Sequence, residues 1–262
     1  MHRIFRLLLV SLAGVAISAT ANAQTAAKAG ARPTVVLVHG AFAESASWND
    51  VAGDLLKDGY PVIAVANPLR SVKGDAAYLS SILSSIPGDV VLAGHSYAGV
   101  VITEAGATAP NVKSLVYVDG YAPDIGESGA TISDRFPTGT LGQTLAPPVV
   151  QPDGSKDVYI DQSKFWAQFA ADLPQAVAAK MAATQRPILV AALSEPVTAA
   201  AWKTKPSWFV YGSLDKNIPP AAHAFMAKRA NARESVEIRG ASHVVMVSHP
   251  REVAAMIKRA AR

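Results

Sequence analysis

The stretch DVVLAGHSYAG, residues 89–99, decides the fold. Its first half is an apolar, β-branched run, which is typical of a strand buried on both faces of a parallel sheet. Its second half sets Ser96 between Gly94 and two small residues, a turn of the Gly-x-Ser-x-Gly type, and a helix of small residues is predicted over 96–108. Such a tight bend presents the serine hydroxyl at the carboxyl end of the sheet. We therefore expect Ser96 to be a nucleophile.

Outward from this stretch, apolar strands alternate with amphipathic helices. Further strands are predicted over 34–38, 61–66, 113–119, 207–212 and 235–238, and further helices over 48–57, 76–86, 221–230 and 250–261. This alternation favours an α/β fold with a mostly parallel, twisted sheet that is flanked by helices on both faces. A single domain over residues 33–262 accommodates it.

The alternation stops in the middle of the chain. Residues 121–205 contain many of the prolines and two amphipathic pieces, 163–171 and 174–183. This stretch is too long for an ordinary connection between two elements of a sheet. We expect it to be an inserted helical cap over the sheet.

A serine nucleophile needs a base that takes its proton, and histidine is the usual choice. We favour His243, because it follows the last predicted strand and so lies at the same edge of the sheet as the serine. His39 and His95 lie in the two loops that shape the site, and we expect them to brace those loops. His223 is expected on the surface of a helix, and His249 at the start of one.

The base in turn needs an acid that holds its tautomer. Asp215 follows the strand that ends at Tyr211, and the order Ser96, Asp215, His243 suits this architecture. Asp119, at the end of the preceding strand, is the alternative. We favour Asp215.

The oxyanion that forms when a serine attacks a carbonyl needs two N–H donors. One is the backbone N–H of Tyr97, directly after the serine. The second is expected from the loop after the first strand. Ala41 is our choice there, with Phe42 next.

Four segments resemble the α/β-hydrolase superfamily, and they span essentially all of residues 33–262. They are VLVHGAF (36–42), GHSYAG (94–99), GSLD (212–215) and GASH (240–243). The HGAF loop and the segment DGYAP (119–123) resemble the branch that contains plant methyl esterases, hydroxynitrile lyases and bacterial esterase relatives. The resemblance implies a triad and two oxyanion donors, namely Ser96, Asp215 and His243 with Ala41 and Tyr97.

The sequence departs from the lyases of that branch at two positions. Those lyases carry a lysine directly after the triad histidine, where this chain has Val244, and a threonine where it has Gly40. We therefore predict a serine carboxylesterase that cleaves small or medium esters through an acyl-enzyme. The alternatives are lyase-like or perhydrolase activity on the same triad, or a non-catalytic ligand-binding protein of this fold.

Four residues are predicted to contact the substrate: Phe42, Tyr121, Trp166 and Val244. Among the cap aromatics, we expect one or two to touch substrate and the others to pack the cap onto the sheet. These cap aromatics are Tyr121, Phe136, Phe165, Trp166 and Phe169.

Composition excludes several other classes of protein. Half of the 262 residues are hydrophobic, 17% are charged, the formal charge is +4, and there is no cysteine. An intrinsically disordered chain and cysteine-based sites are thereby excluded, and scattered basic residues do not favour nucleic-acid binding. No metal-ligand spacing or phosphate loop appears, so no cofactor is predicted. The expected partner is a small-molecule ester, and a homodimer remains open.

The first 23 residues have the three-part layout of a secretory signal peptide. A basic start is followed by an apolar run of about eleven residues, too short to span a bilayer, and then by Ala21-Asn22-Ala23. Cleavage after Ala23, export to the periplasm or medium and no stable membrane insertion are expected. Residues 24–32 are predicted to be a disordered lead-in.

Overall fold

Nine β-strands form within residues 32–262, the part of the chain that the computed structural model describes. They are β1 (Thr34–Val38), β2 (Val62–Val65), β3 (Val90–His95), β4 (Val112–Val118), β5 (Val149–Val150), β6 (Lys156–Val158), β7 (Ile188–Leu189), β8 (Ser207–Gly212) and β9 (Glu234–Ile238). The predicted signal peptide and all but the last residue of the predicted lead-in lie outside the described residues.

Six of these strands form the central sheet, in the order β2-β1-β3-β4-β8-β9. Every neighbouring pair in it is parallel. All residues of β3 are buried, as the apolar run before Ser96 predicts for a central strand with both faces covered. The α/β-hydrolase fold expected from the sequence is confirmed.

Ten α-helices accompany the strands in the same region. They are α1 (Asn49–Lys57), α2 (Val72–Ser84), α3 (Ala98–Thr108), α4 (Gly129–Arg135), α5 (Gln162–Phe169), α6 (Gln175–Thr184), α7 (Val190–Ser194), α8 (Pro220–Arg229), α9 (Val245–Ser248) and α10 (Pro250–Ala260). Helix α1 packs against α10, and α2 packs against α3. None of the described helices combines the length and the apolar character needed to cross a membrane.

Helix α2 begins earlier than its apolar periodicity predicts, at Val72 rather than Ala76. Ser71 is the reason, because its side chain accepts a hydrogen bond from the Gly74 N–H and caps the helix. The carboxylate of Glu195 also accepts the N–H groups of Val72 and Lys73 at 2.6 and 3.1 Å. A negative charge at a helix start is stabilising, and here it comes from the middle segment of the chain.

The segment between β4 and β8 carries helices α4–α7 and a small antiparallel sheet, in the order β5-β6-β7. That sheet was not predicted, because strands of two or three residues are too short to show a period. The segment lies over the edge of the central sheet, where the Arg186 carbonyl accepts the Phe42 N–H at 2.9 Å. The Leu189 N–H likewise donates to the Leu69 carbonyl at 3.0 Å.

Candidate active site

The turn that carries Ser96 has a strained backbone. Ser96 has φ of 53°, a left-handed conformation that side chains rarely adopt. Close contacts on both sides of the turn exclude larger residues, since a Cβ on Gly94 would lie 2.7 Å from the Ala98 carbonyl oxygen. One on Gly99 would lie 2.2 Å from the carbonyl oxygen of Tyr121. The small residues around the serine are therefore a steric requirement of the bend.

The loop after β1 packs directly on this turn. A Cβ on Gly40 would lie 2.6 Å from the His95 carbonyl oxygen and 2.7 Å from the Ser96 Cβ. These distances are shorter than side chains tolerate, so Gly40 is what allows the loop to lie against the serine.

Ser96, His243 and Asp215 are connected by hydrogen bonds. The Ser96 hydroxyl lies 2.9 Å from His243 Nε2, and His243 Nδ1 lies 2.7 Å from Asp215 Oδ2. The carboxylate only accepts, so the proton of the neutral imidazole is on Nδ1, and Nε2 is left to accept from the serine. This is the arrangement in which a histidine removes a proton from a nucleophilic hydroxyl.

Asp215 is fully buried and surrounded by donors. Its Oδ1 accepts the N–H groups of Asn217 and Ile218 at 2.8 and 3.0 Å. Burial by itself raises the pKa of this carboxyl, but the charge of His243 and the hydrogen bonds from His223 and His243 outweigh burial and lower the pKa below its ordinary value. Asp215 therefore stays ionised beside the base.

Asp119, the alternative acid, makes different contacts. Its Oδ1 accepts the Gly212 N–H at 2.8 Å and its Oδ2 accepts the Val245 N–H at 3.0 Å. Burial, together with the charge of Asp215, raises its pKa well above the ordinary value. Asp119 thus joins the end of β8 to the start of α9, directly after the loop that carries His243.

Two other histidines brace the loops of the site. His39 bonds the Gly40 carbonyl through Nδ1 at 2.9 Å and accepts the Asn67 N–H on Nε2 at 3.0 Å. His95 Nε2 lies 2.9 Å from the carbonyl oxygen of His243. Burial lowers the pKa of His39 to about 4 and lowers that of His95 well below its usual value, so both stay neutral.

His223 is not on the surface, which corrects the expectation from the sequence. It is 1% exposed, and its Nε2 lies 3.1 Å from Asp215 Oδ2. The apolar and polar residues of helix α8 are not segregated onto opposite faces, so the sequence does not indicate which face is buried. The available signal was the short separation in sequence, since His223 follows Asp215 by eight residues.

The structure distinguishes between Ala41 and Phe42, the two candidate oxyanion donors of the loop after β1. The Phe42 N–H already donates to the carbonyl of Arg186, and Phe42 has a positive φ of 61°. Ala41 therefore remains the candidate from this loop. Tyr97 directly precedes α3, so its N–H lies at the positive amino end of that helix, where an anion is stabilised.

Two cavities lie beside the loops of the site, and one of them is lined by a residue of the serine turn. One, of about 420 Å³, is lined by Phe42, Gln185 and Val247 together with residues of α1 and α6. The other, of about 210 Å³, is lined by Tyr97, Tyr121 and other residues whose side chains carry no charge. These cavities begin at the two loops that hold the candidate oxyanion donors.

Two of the four predicted substrate residues, Phe42 and Tyr121, line these cavities. Trp166 lines neither of them. It is 38% exposed on the outer face of α5, because Phe165 and Phe169 occupy the buried face. Val244 is completely buried and lines neither cavity. Phe169 instead packs against the His243 ring at 5.0 Å.

Asp119, Asp215 and His243 also form the one group in residues 32–262 whose side-chain atoms lie close enough to bind a metal ion together, within 4.8 Å. Each of these side chains already has hydrogen-bond partners, which are described above. The group therefore fits proton transfer better than metal coordination.

Known proteins resemble this chain in sequence and in fold. Residues 35–256 match the model of a family described as the alpha/beta hydrolase family. A carbendazim hydrolyzing esterase from Nocardioides sp. (strain SG-4G) is 38% identical over 109 residues, which are 36% of this chain and 44% of that protein. This match thus spans less than half of that relative.

Two further relatives match over most of their length. Methylesterase 3 from Arabidopsis thaliana is 25% identical over 246 residues, covering 85% of this chain and 94% of that protein. A crystal structure of polyneuridine aldehyde esterase superimposes with a TM-score of 0.76 at 20% identity. It covers 87% of this chain and 98% of that one, and at this identity it shows the fold alone.

Proposed function

The chain belongs to the alpha/beta hydrolase family, and on that premise we propose that it is a serine carboxylesterase for small or medium carboxylic esters. The observation that carries this proposal is the hydrogen-bonded line from Ser96 through His243 to Asp215, at 2.9 and 2.7 Å. Relatives that are named as esterases support the same class of reaction.

In the proposed mechanism, Ser96 Oγ attacks the ester carbonyl carbon while His243 Nε2 takes the hydroxyl proton. The N–H groups of Ala41 and Tyr97 stabilise the negative charge on the carbonyl oxygen. His243 then gives its proton to the leaving alcohol, and an acyl-enzyme remains. Water, deprotonated by the same histidine, releases the acid and restores Ser96.

The smaller cavity supports a substrate with a small group beside the serine turn, because Tyr97 lines it. A cavity of about 150 Å³ suffices for benzene, so the smaller one, at about 210 Å³, has room for an aromatic ring or a short chain. Its uncharged lining favours a neutral group there. We propose that this group is one part of the ester.

Two positions weigh against the lyase alternative. The threonine that the lyases carry would put a Cβ at Gly40 within 2.6 Å of the His95 carbonyl oxygen. Val244, where the lyases carry a lysine, is completely buried and apolar and offers no charge for a cyanide ion.

The decisive experiment replaces the nucleophile. We expect Ser96→Ala to abolish hydrolysis of p-nitrophenyl esters and labelling by an active-serine phosphonate, while its thermal unfolding stays like that of the wild type. Ser81→Ala is the matched control, because Ser81 lies exposed on α2 and bonds only its own helix. A Ser96→Ala protein that keeps most of the activity contradicts the proposal, and a wild type that is never labelled favours a binding protein.

We also propose that the protein is exported, since residues 1–23 have the layout of a signal peptide. Mass spectrometry of the protein recovered from the periplasm or medium should give a chain that begins at Gln24. Recovery of the uncleaved chain from the cytoplasm contradicts this.

A further inference from the structure

We infer that His223 is a positioning residue of the proposed triad, in which a second imidazole fixes the carboxylate of Asp215 against His243. The inference rests on the proposed function, because it concerns how the base is oriented. The evidence for it is a set of contacts made by His223, which lies outside all of the sequence motifs described above.

Both imidazoles meet the same oxygen of Asp215. His243 Nδ1 lies 2.7 Å from Oδ2, and His223 Nε2 lies 3.1 Å from it. The other oxygen, Oδ1, accepts the backbone N–H groups of Asn217 and Ile218. Asp215 therefore has four donors, two on each oxygen, which fills the accepting capacity of a carboxylate.

His223 is itself held in place. Its ring stacks on the ring of Tyr211 at 4.8 Å between centroids, with 18° between the planes. It belongs to α8, which begins with Pro220 directly behind the Asp215 loop. Strand β8 and helix α8 thus fix the imidazole from two sides, and its side chain is 1% exposed.

This arrangement accounts for the orientation of the acid. The backbone donors hold Oδ1, but Oδ2 with a single donor is free to follow His243 when that ring moves. A second donor on Oδ2 keeps the oxygen at a fixed place, and it must carry its proton on Nε2 because the carboxylate cannot donate.

Catalysis therefore requires a donor at position 223 and not only a side chain of suitable size. His223→Gln keeps an N–H group near Asp215, whereas His223→Leu fills the space beside Tyr211 without any donor. We expect His223→Leu to lower kcat on p-nitrophenyl acetate roughly ten- to a hundred-fold with little change in KM. His223→Gln should recover most of that loss, and His249→Gln, at a partly exposed histidine, should behave as the wild type.

Nitrogen-15 NMR of the histidine-labelled protein provides a second test that needs no substrate. We expect His223 as the Nε2–H tautomer, and the His243 Nδ1 proton shifted far downfield by its bond to Asp215. In His223→Leu that downfield signal should weaken or exchange faster.

The outcomes separate this inference from the proposed function. The role of the donor is overturned if the wild type hydrolyses esters and the folded His223→Leu and His223→Gln variants have the same kcat as each other. It is also overturned by an Nδ1–H tautomer at His223. A wild type without any ester hydrolysis refutes the proposed function instead, and the tautomer then still decides whether His223 donates to Asp215.

Discussion

At the scale of single residues, the site contains two buried aspartates that differ in what they contact. Asp215 bonds the imidazole that faces Ser96, whereas Asp119 bonds two backbone N–H groups, of Gly212 and Val245. Their pKa values shift in opposite directions, downward for Asp215 and upward for Asp119. Substitution of each residue should therefore have a different main effect.

Asp215→Asn should reduce kcat by about 10⁴-fold, since the amide no longer fixes the productive tautomer of His243. The measurement is steady-state hydrolysis of p-nitrophenyl acetate beside a urea unfolding curve. A folded variant with kcat within tenfold of the wild type removes Asp215 from the triad.

Asp119→Asn should mainly cost stability. One of the two accepting oxygens becomes an NH₂ group that faces a backbone N–H, and the expected loss is about 1–3 kcal/mol of unfolding free energy. Activity should fall much less than in Asp215→Asn, when both are assayed at a temperature where both are folded. A larger loss of kcat at Asp119 reverses the assignment.

At the scale of elements, the strands and the serine turn were predictable, because an apolar run and a small-residue turn are local signals. The strands predicted over 34–38 and 207–212 have the observed bounds, and most other ends differ by one or two residues. What escaped prediction depends on contacts distant in the sequence. Three features are of this kind: the small sheet β5-β6-β7, the outward direction of Trp166, and the contact between His223 and Asp215.

The loop after β1 gives a prediction at this scale. Gly40→Ala should lower kcat about 10²-fold or more, because the added Cβ has to push the loop and its Ala41 N–H away from the serine turn. The measurement is kcat on p-nitrophenyl acetate, together with the thermal midpoint.

Gly53→Ala is the matched control for that change. Gly53 lies within α1, and a Cβ there meets nothing within 4 Å. This substitution should leave kcat unchanged and stabilise the protein by about 0.5–1 kcal/mol. A Gly40→Ala protein with the kcat of its Gly53→Ala counterpart shows that the close approach is not required.

At the scale of the whole molecule, buried neutral histidines make stability depend on pH. The pKa of His39 is lowered from 6.5 to about 4 in the folded chain, so between these values the unfolded chain binds a proton that the native chain does not. The resulting stability is fully present above pH 6.5 and is lost as the pH falls toward 4. We expect a decrease of about 3 kcal/mol from this residue across that window.

Urea unfolding at a series of pH values between 7.5 and 4.5 measures how steeply the unfolding free energy changes with pH. His39→Gln should show a shallower slope by nearly one proton, with a remainder from His95, whose pKa is also lowered. Equal slopes in the wild type and in His39→Gln, or an NMR titration of His39 with a midpoint near 6.5, contradict the prediction.

The segment that carries α4–α7 leaves the central sheet after β4 and returns to it at β8, and these two strands are direct neighbours. Because the two strands are parallel and Leu115 pairs with Ser207, the segment leaves at the carboxyl edge of the sheet and returns at the amino edge, offset by roughly 10 Å along the strands. The hydrogen-bonded line Ser96–His243–Asp215 is built entirely from residues outside it. Another segment grafted at these positions would therefore have to span the sheet from edge to edge, and it would also remove the packing of Phe169 on the His243 ring and the Arg186 carbonyl that accepts the Phe42 N–H.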